Sequence, residues 1–245
     1  MKVIYVLSIG NSFSNNAHKY LHDLAKSEGV QIETVNLMIG GCPLSTHFRN
    51  MAGDKEAYTL VVNGHSAEGF MTSIKKALVT RDWDYVTIQQ VSRLSYKEHT
   101  FYPYINKLAE YVRAVCPQAK LLIHQTWGYE SGSEKILAHG FQTYDEMFAE
   151  IKKCYEKAAV EIGADGMIPS GTAFQYALHH GIEKIHKDTF HADAGVGCFI
   201  LALVWYRCLT GNDISGVTFR NFDVQISEEE YKIALEAAEF AVSQT

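Results

Sequence analysis

The stretch VIYVLSIGNSFSNNAHKYL, residues 3–21, decides the fold. Val3 to Ile9 is a nearly unbroken apolar run, the pattern of a strand buried on both faces, and Gly10-Asn11 punctuates its end. Beyond that point Ala17, Tyr20, Leu21, Leu24 and Ala25 recur at helical spacing, which predicts an amphipathic helix ended by Gly29. A strand feeding directly into a helix is the unit of an α/β fold. Ser12 stands at the corner, where a serine is either a helix cap or a nucleophile.

The alternation continues along the chain. QIETVNLMI (31–39), WDYVTIQ (83–89), AKLLIHQTW (119–127) and DGMIP (165–169) read as strands. Residues 70–79, 100–115, 142–162, 171–181, 193–209 and 228–244 read as helices. TLVVNG (59–64) is too short to assign, and VTFRNFDV (217–224) is a candidate edge strand. Strands separated by helices of this length favour parallel pairing with helices on both sheet faces.

Composition narrows the function. With 245 residues and 47% apolar content the chain can bury a sizeable core. Its 22 basic and 28 acidic residues give a net charge of -6, with no basic block to track a phosphate backbone, so no nucleic-acid partner is expected. Five cysteines, at 42, 116, 154, 198 and 208, are odd in number and widely spaced, which suits a reducing compartment rather than a disulfide scaffold. The histidines are scattered without HExxH-like spacing, so no metal is expected. The apolar stretch 192–209 contains Asp193, Trp205 and Arg207 and reads as a buried helix, so no membrane insertion is expected. The first residues make a better strand than a leader; the expected location is the cytoplasm, or outside it if a signal peptide was removed.

Ligands of such folds bind beyond the carboxyl ends of parallel strands. Those ends are Gly10 to Ser14, Gly40 to Cys42, Gln89 to Ser92 and His124 to Trp127. Further on, Asp188 and His191 stand three residues apart before a long helix; the carboxylate either orients the imidazole toward Ser12 or caps a turn. The backbone N–H groups of Ser12 and Gly41 are candidate donors to a developing oxyanion, with Gln89 or Gln90 supplying a third from its side-chain amide. Gln90, His124, Trp127, Tyr129 and Phe190 are candidate substrate contacts, each also open to a plain packing role. Ser14 reads as a helper in capping the first helix, and the 128–145 segment as the loop that shapes access.

Taken in order, GNSFS, GGCPL, WDYVTIQQVS and DTFHADAGVGCFILALVWYRCLTG resemble the nucleophile, glycine, third-strand and terminal Asp-x-x-His blocks of the SGNH, or GDSL-like, hydrolase superfamily, especially its DUF4886-like branch. The resemblance implies Ser12 as nucleophile, His191 as general base and acid, Asp188 as its orienting partner, and Gly41 and Gln89 in the oxyanion hole. One departure stands out, because IQQVS carries glutamine where the wider superfamily usually has asparagine. The implied architecture is an α/β, three-layer αβα sandwich with a mainly parallel, flavodoxin-like five-stranded sheet, forming one SGNH-hydrolase-like domain over residues 1–245. The implied activity is hydrolysis of small acyl esters, with O-acetyl groups on a carbohydrate as the expected substrate and no cofactor. Lipase-like or thioester hydrolysis, and a non-catalytic carbohydrate-binding or scaffold role, are the alternatives.

Overall fold

The computed structural model describes residues 2–245. The first half of the chain runs β1 (Val3–Gly10), α1 (Ser12–His18), α2 (Leu21–Ser27), β2 (Gln31–Met38), α3 (Leu44–Ala52), β3 (Tyr58–Val62), β4 (His65–Thr72), α4 (Ile74–Leu78), β5 (Tyr85–Ile88) and α5 (Tyr104–Val115). The second half runs β6 (Lys120–His124), α6 (Glu134–Ala138), α7 (Tyr144–Glu161), β7 (Gly166–Ile168), α8 (Ser170–His179), α9 (Val196–Thr210) and α10 (Glu228–Ser243).

The seven strands among the described residues lie in one sheet, in the order β4-β3-β2-β1-β5-β6-β7. β2, β1, β5, β6 and β7 are parallel, whereas β3 and β4 run antiparallel to their neighbours. The expected five-stranded, mainly parallel flavodoxin-like sheet is therefore corrected to a mixed seven-stranded one. The physical reason is the Asn63-Gly64 pair, whose φ angles of 50° and 80° make a two-residue reversal. Positive φ at both central residues matches the twist of paired strands, so Asn-Gly joins β3 to β4 as a hairpin. Residues 65–72, part of which read as helix, form the edge strand, and the helix there is only Ile74–Leu78. VTFRNFDV forms no strand; Phe219 and Phe222 are buried against Phe199 instead.

The register sets the carboxyl ends of the parallel strands side by side, with Gly10 opposite Met38, Ile9 opposite Ile88, and Ile88 opposite Ile123. The helix from Val196 is buried along every residue to Tyr206 and packs on α1, α2, α8 and α10. No helix is long and apolar enough to cross a membrane among the described residues. The last helix is set by a capping box, in which Ser227 and Glu230 satisfy each other's backbone N–H groups.

Gly10 makes the first corner sterically feasible. A Cβ there would lie 2.0 Å from Ser14 Oγ and 2.8 Å from Asn36 Oδ1. Gly10→Ala is expected to lower stability by about 1–3 kcal/mol, the range for overpacking a filled site. Equilibrium urea unfolding checks this, and an unchanged midpoint would show that the corner yields freely.

Four histidines are packed out of solvent. Burial pushes His18 and His47 down to about 3, burial with the nearby His18 does the same to His124, and burial pushes His186 down to about 4. An unfolded histidine takes up its proton near 6.5, so between about 3 and 6.5 the unfolded chain holds more protons than the folded one. Stability is therefore full above pH ~6.5 and falls as pH drops through that window, by at most about 1.4 kcal/mol per pH unit for each histidine. Urea midpoints at about pH 7.5 and about pH 5.5 are expected to differ in that sense. Equal midpoints would contradict it.

Candidate active site

The strand-to-helix corner separates Ser12 from the helix cap. Asn11 has extended backbone and is the N-cap of α1, its Oδ1 accepting from the N–H of Phe13 at 3.0 Å. The same oxygen accepts from Gln89 Nε2 at 2.9 Å, Asn11 Nδ2 donates to the Cys42 carbonyl at 3.4 Å, and the Asn11 carbonyl accepts from Asn36 Nδ2 at 3.1 Å. Capping is thus done by Asn11, which leaves the hydroxyl of Ser12 free at the first helical position. That hydroxyl lies 2.8 Å from His191 Nε2.

His191 Nδ1 lies 2.9 Å from Asp188 Oδ2 and 3.2 Å from Oδ1, and the His191 backbone N–H donates to Oδ1 at 3.0 Å. Partial burial pulls the Asp188 carboxyl up, but the hydrogen bonds from the His191 ring and backbone outweigh it and hold the group below its ordinary value. A carboxylate on Nδ1 fixes that nitrogen as the proton carrier, which leaves Nε2 with its lone pair toward Ser12.

The loop carrying the pair is tied down at several points. Lys187 N–H donates to the His191 carbonyl at 2.9 Å, Glu130 N–H to the Thr189 carbonyl at 2.8 Å, and the Trp127 indole to the Phe190 carbonyl at 2.8 Å. Thr189 has a φ of 73°, a left-handed conformation that costs a threonine strain. The surrounding bonds hold it there.

A cleft of about 420 Å³ opens at these strand ends, with Ser12, Gly41, Arg93, Tyr129, Phe190 and His191 in its wall. Gly41 has a φ of +61° and its carbonyl accepts from Arg93 Nη1 at 2.9 Å. Among the described residues the N–H groups of Ser12 and Gly41 have no intramolecular acceptor. Both sit in the cleft wall.

Of the remaining candidates, Tyr129 and Phe190 line the cleft. Gln89, Gln90, His124 and Trp127 do not, and all four are buried. Gln89 braces the N-cap and accepts from Ser14 Oγ at 2.8 Å and His124 Nδ1 at 2.6 Å. Gln90 accepts from Leu44 N–H at 3.1 Å and donates to the Thr100 carbonyl at 2.9 Å, locking β5 to the next loop. Trp127 stacks on Phe13 with ring centroids 4.0 Å apart. Ser14 is fully buried on Gln89 rather than capping.

A second serine–histidine contact, Ser170 Oγ to His124 Nε2 at 3.0 Å, also exists. Both residues are 0% exposed and His124 is held neutral, so no substrate reaches this pair. Among the described residues no group of three or more His, Cys, Asp and Glu side chains converges on a metal position. Sequence reasoning missed Asn11 as the cap and missed Arg93, Lys135 and His139 on the cleft wall. Their signals were the GN corner, the serine-arginine step after IQQV, and the access loop itself.

The family model described as "Domain of unknown function (DUF4886)" matches residues 5–241. A DUF4886 family protein from Bacteroides uniformis is 32% identical and superimposes with a TM-score of 0.91, covering 99% of this chain and 95% of its own. A candidate SGNH hydrolase from Slackia heliotrinireducens is 22% identical with a TM-score of 0.62, covering 84% of this chain and 98% of its own. TesA is 13% identical with a TM-score of 0.55, covering 84% and 98% in the same sense. Among curated proteins none matches the chain. The two more distant likenesses speak for fold alone. With the match spanning nearly its whole length, the chain belongs to the DUF4886 family, and it shares its fold with the candidate SGNH hydrolase and with TesA.

Proposed function

We propose that this protein is a serine esterase that hydrolyses small acyl esters through an acyl-serine intermediate on Ser12. The observation that carries the reading is the relay from Ser12 Oγ to His191 Nε2 at 2.8 Å and from His191 Nδ1 to Asp188 Oδ2 at 2.9 Å, on the wall of an open cleft. These distances lie within the reach needed for proton transfer between a nucleophile and its base.

In this mechanism Ser12 Oγ bonds to the ester carbonyl carbon while His191 Nε2 takes the hydroxyl proton. The carbonyl oxygen becomes an oxyanion, and the free N–H groups of Ser12 and Gly41 donate to it. Such a donor is worth about 3–4 kcal/mol of transition-state stabilisation. Asp188, kept ionised by its bonds to His191, balances the imidazolium. The C–O bond to the alcohol then breaks, and the alcohol leaves with the proton from His191. Water gives a proton to His191 and attacks the acyl-serine; Ser12 recovers its proton as the acid departs. Gln89, spent on Asn11, acts as a positioning residue for the corner rather than as an oxyanion donor.

Tyr129 and Phe190 give the cleft two aromatic walls, and a cleft of about 420 Å³ suits a small ester. An acetyl group on a carbohydrate fits this reading, since an aromatic wall can take a sugar face or an acyl methyl. The test compares wild type with Ser12→Ala on acetyl, butyryl and octanoyl 4-nitrophenyl esters and on a panel of acetylated sugars. Acetyl preference is expected, with kcat/KM falling roughly 10⁴-fold or more in Ser12→Ala. Turnover indifferent to Ser12→Ala would end the mechanism, and octanoyl preference would assign the site to acyl-chain esters.

A further inference from the structure

The cleft beside Ser12 is cationic although the protein is acidic. Arg93 and Lys135 stand in its wall beside His139, and the wall holds no Asp or Glu. The whole chain carries a net charge of -6, so this sign is local. Neither Arg93 nor Lys135 has a carboxylate within ion-pair distance among the described residues. Glu130 and Glu134 line the neighbouring depression that shares Lys135, yet among the described residues they pair with neither cation.

Both cations are positioned rather than loose. Arg93 Nη1 is anchored on the Gly41 carbonyl at 2.9 Å, which leaves Nη2 and Nε without a partner among the described residues. Lys135 Nζ sits 3.5 Å above the ring centroid of Phe190, the residue next to His191. The field they make reaches the surrounding groups. Burial, followed by Lys97, Lys135 and Arg93, pushes the His139 imidazole below its ordinary value. His139 Nδ1 lies 3.0 Å from the Tyr96 hydroxyl, and Lys97 Nζ lies over the Tyr96 ring at 5.2 Å.

We infer that the cleft selects esters carrying a carboxylate close to the scissile bond, such as an acylated acidic sugar, with Arg93 and Lys135 as the residues that recognise it. This deepens the esterase reading and rests on it. A guanidinium with two free donor positions suits a planar carboxylate, and an ammonium held over an aromatic ring supplies a second positive point. Charges lining a concave site concentrate an oppositely charged ligand there, an effect that salt weakens.

The experiment compares kcat/KM for 4-acetoxybenzoate and its neutral analogue 4-acetoxybenzamide in wild type, Arg93→Gln, Lys135→Gln and the double variant. Wild type is expected to favour the anion by roughly tenfold, equal to about 1.4 kcal/mol. That ratio should fall toward one in the double variant and with added salt. Calorimetry of the non-hydrolysable 4-acetamidobenzoate and 4-acetamidobenzamide on Ser12→Ala should show the same preference without turnover. A wild-type ratio at or below one, or a ratio that survives loss of both cations, overturns the inference while Ser12-dependent turnover of the neutral ester leaves the esterase reading standing. Absence of Ser12-dependent turnover on either ester, as on the acyl series, removes the reading itself and the inference with it.

Discussion

The side chain of Asn11 is the constraint on which the rest of the site depends. One oxygen receives the first turn of α1 and the Gln89 amide together, while the backbone carbonyl of the same residue receives Asn36 from β2. Three neighbouring strands are thereby tied to one corner. Each such bond is worth about 1 kcal/mol net, but a buried polar group left without its partner costs about 1–3 kcal/mol. Gln89 in turn satisfies Ser14 and His124, and His124 reaches Ser170, so the loss of one amide would strand several buried groups at once. The length of Gln89 lets its amide reach across the strand end to the cap.

The two halves of the candidate relay are held by different physics. Ser12 rides on a corner fixed by buried hydrogen bonds, at the end of a strand paired on both sides. Asp188 and His191 ride on a surface loop, with side chains 44% and 24% exposed. At that exposure solvent screens much of the attraction within the pair. Its value is therefore orientation of the imidazole more than raw charge, consistent with a carboxylate that contacts both the ring and the backbone of the same histidine.

Reading the sequence located the parallel strands and the long buried helix, because these features are local patterns, and it singled out Ser12, Asp188 and His191, whose side chains the fold brings within hydrogen-bond distance of one another. The hairpin was less visible. In TLVVNG the apolar run is short, and only the Asn-Gly pair marks the reversal that widens the sheet to seven strands. Strand-end polar residues were harder still. Gln89 and Gln90 are adjacent just beyond β5, yet their side chains go to different partners, one to Asn11 and His124, the other to Leu44 and Thr100. Composition alone has no means of saying that neither lines the cleft.

Trp127 carries the last step of this logic. As a strand-end aromatic it reads as a wall for substrate, yet it is 0% exposed. Its ring lies on Phe13, the neighbour of Ser12, while its indole N–H holds the carbonyl of Phe190, the neighbour of His191. Ser12 and His191 are 179 residues apart in sequence and approach from separate elements. A displacement of about 1 Å between reacting groups can cost roughly 100-fold in rate. A rigid bicyclic ring clamped between the two neighbours is a spacer that fixes this distance, which a flexible side chain of equal volume would not do. The bulk at position 127 therefore holds the Ser12–His191 contact from behind, while Tyr129 and Phe190 line the cleft in front of it.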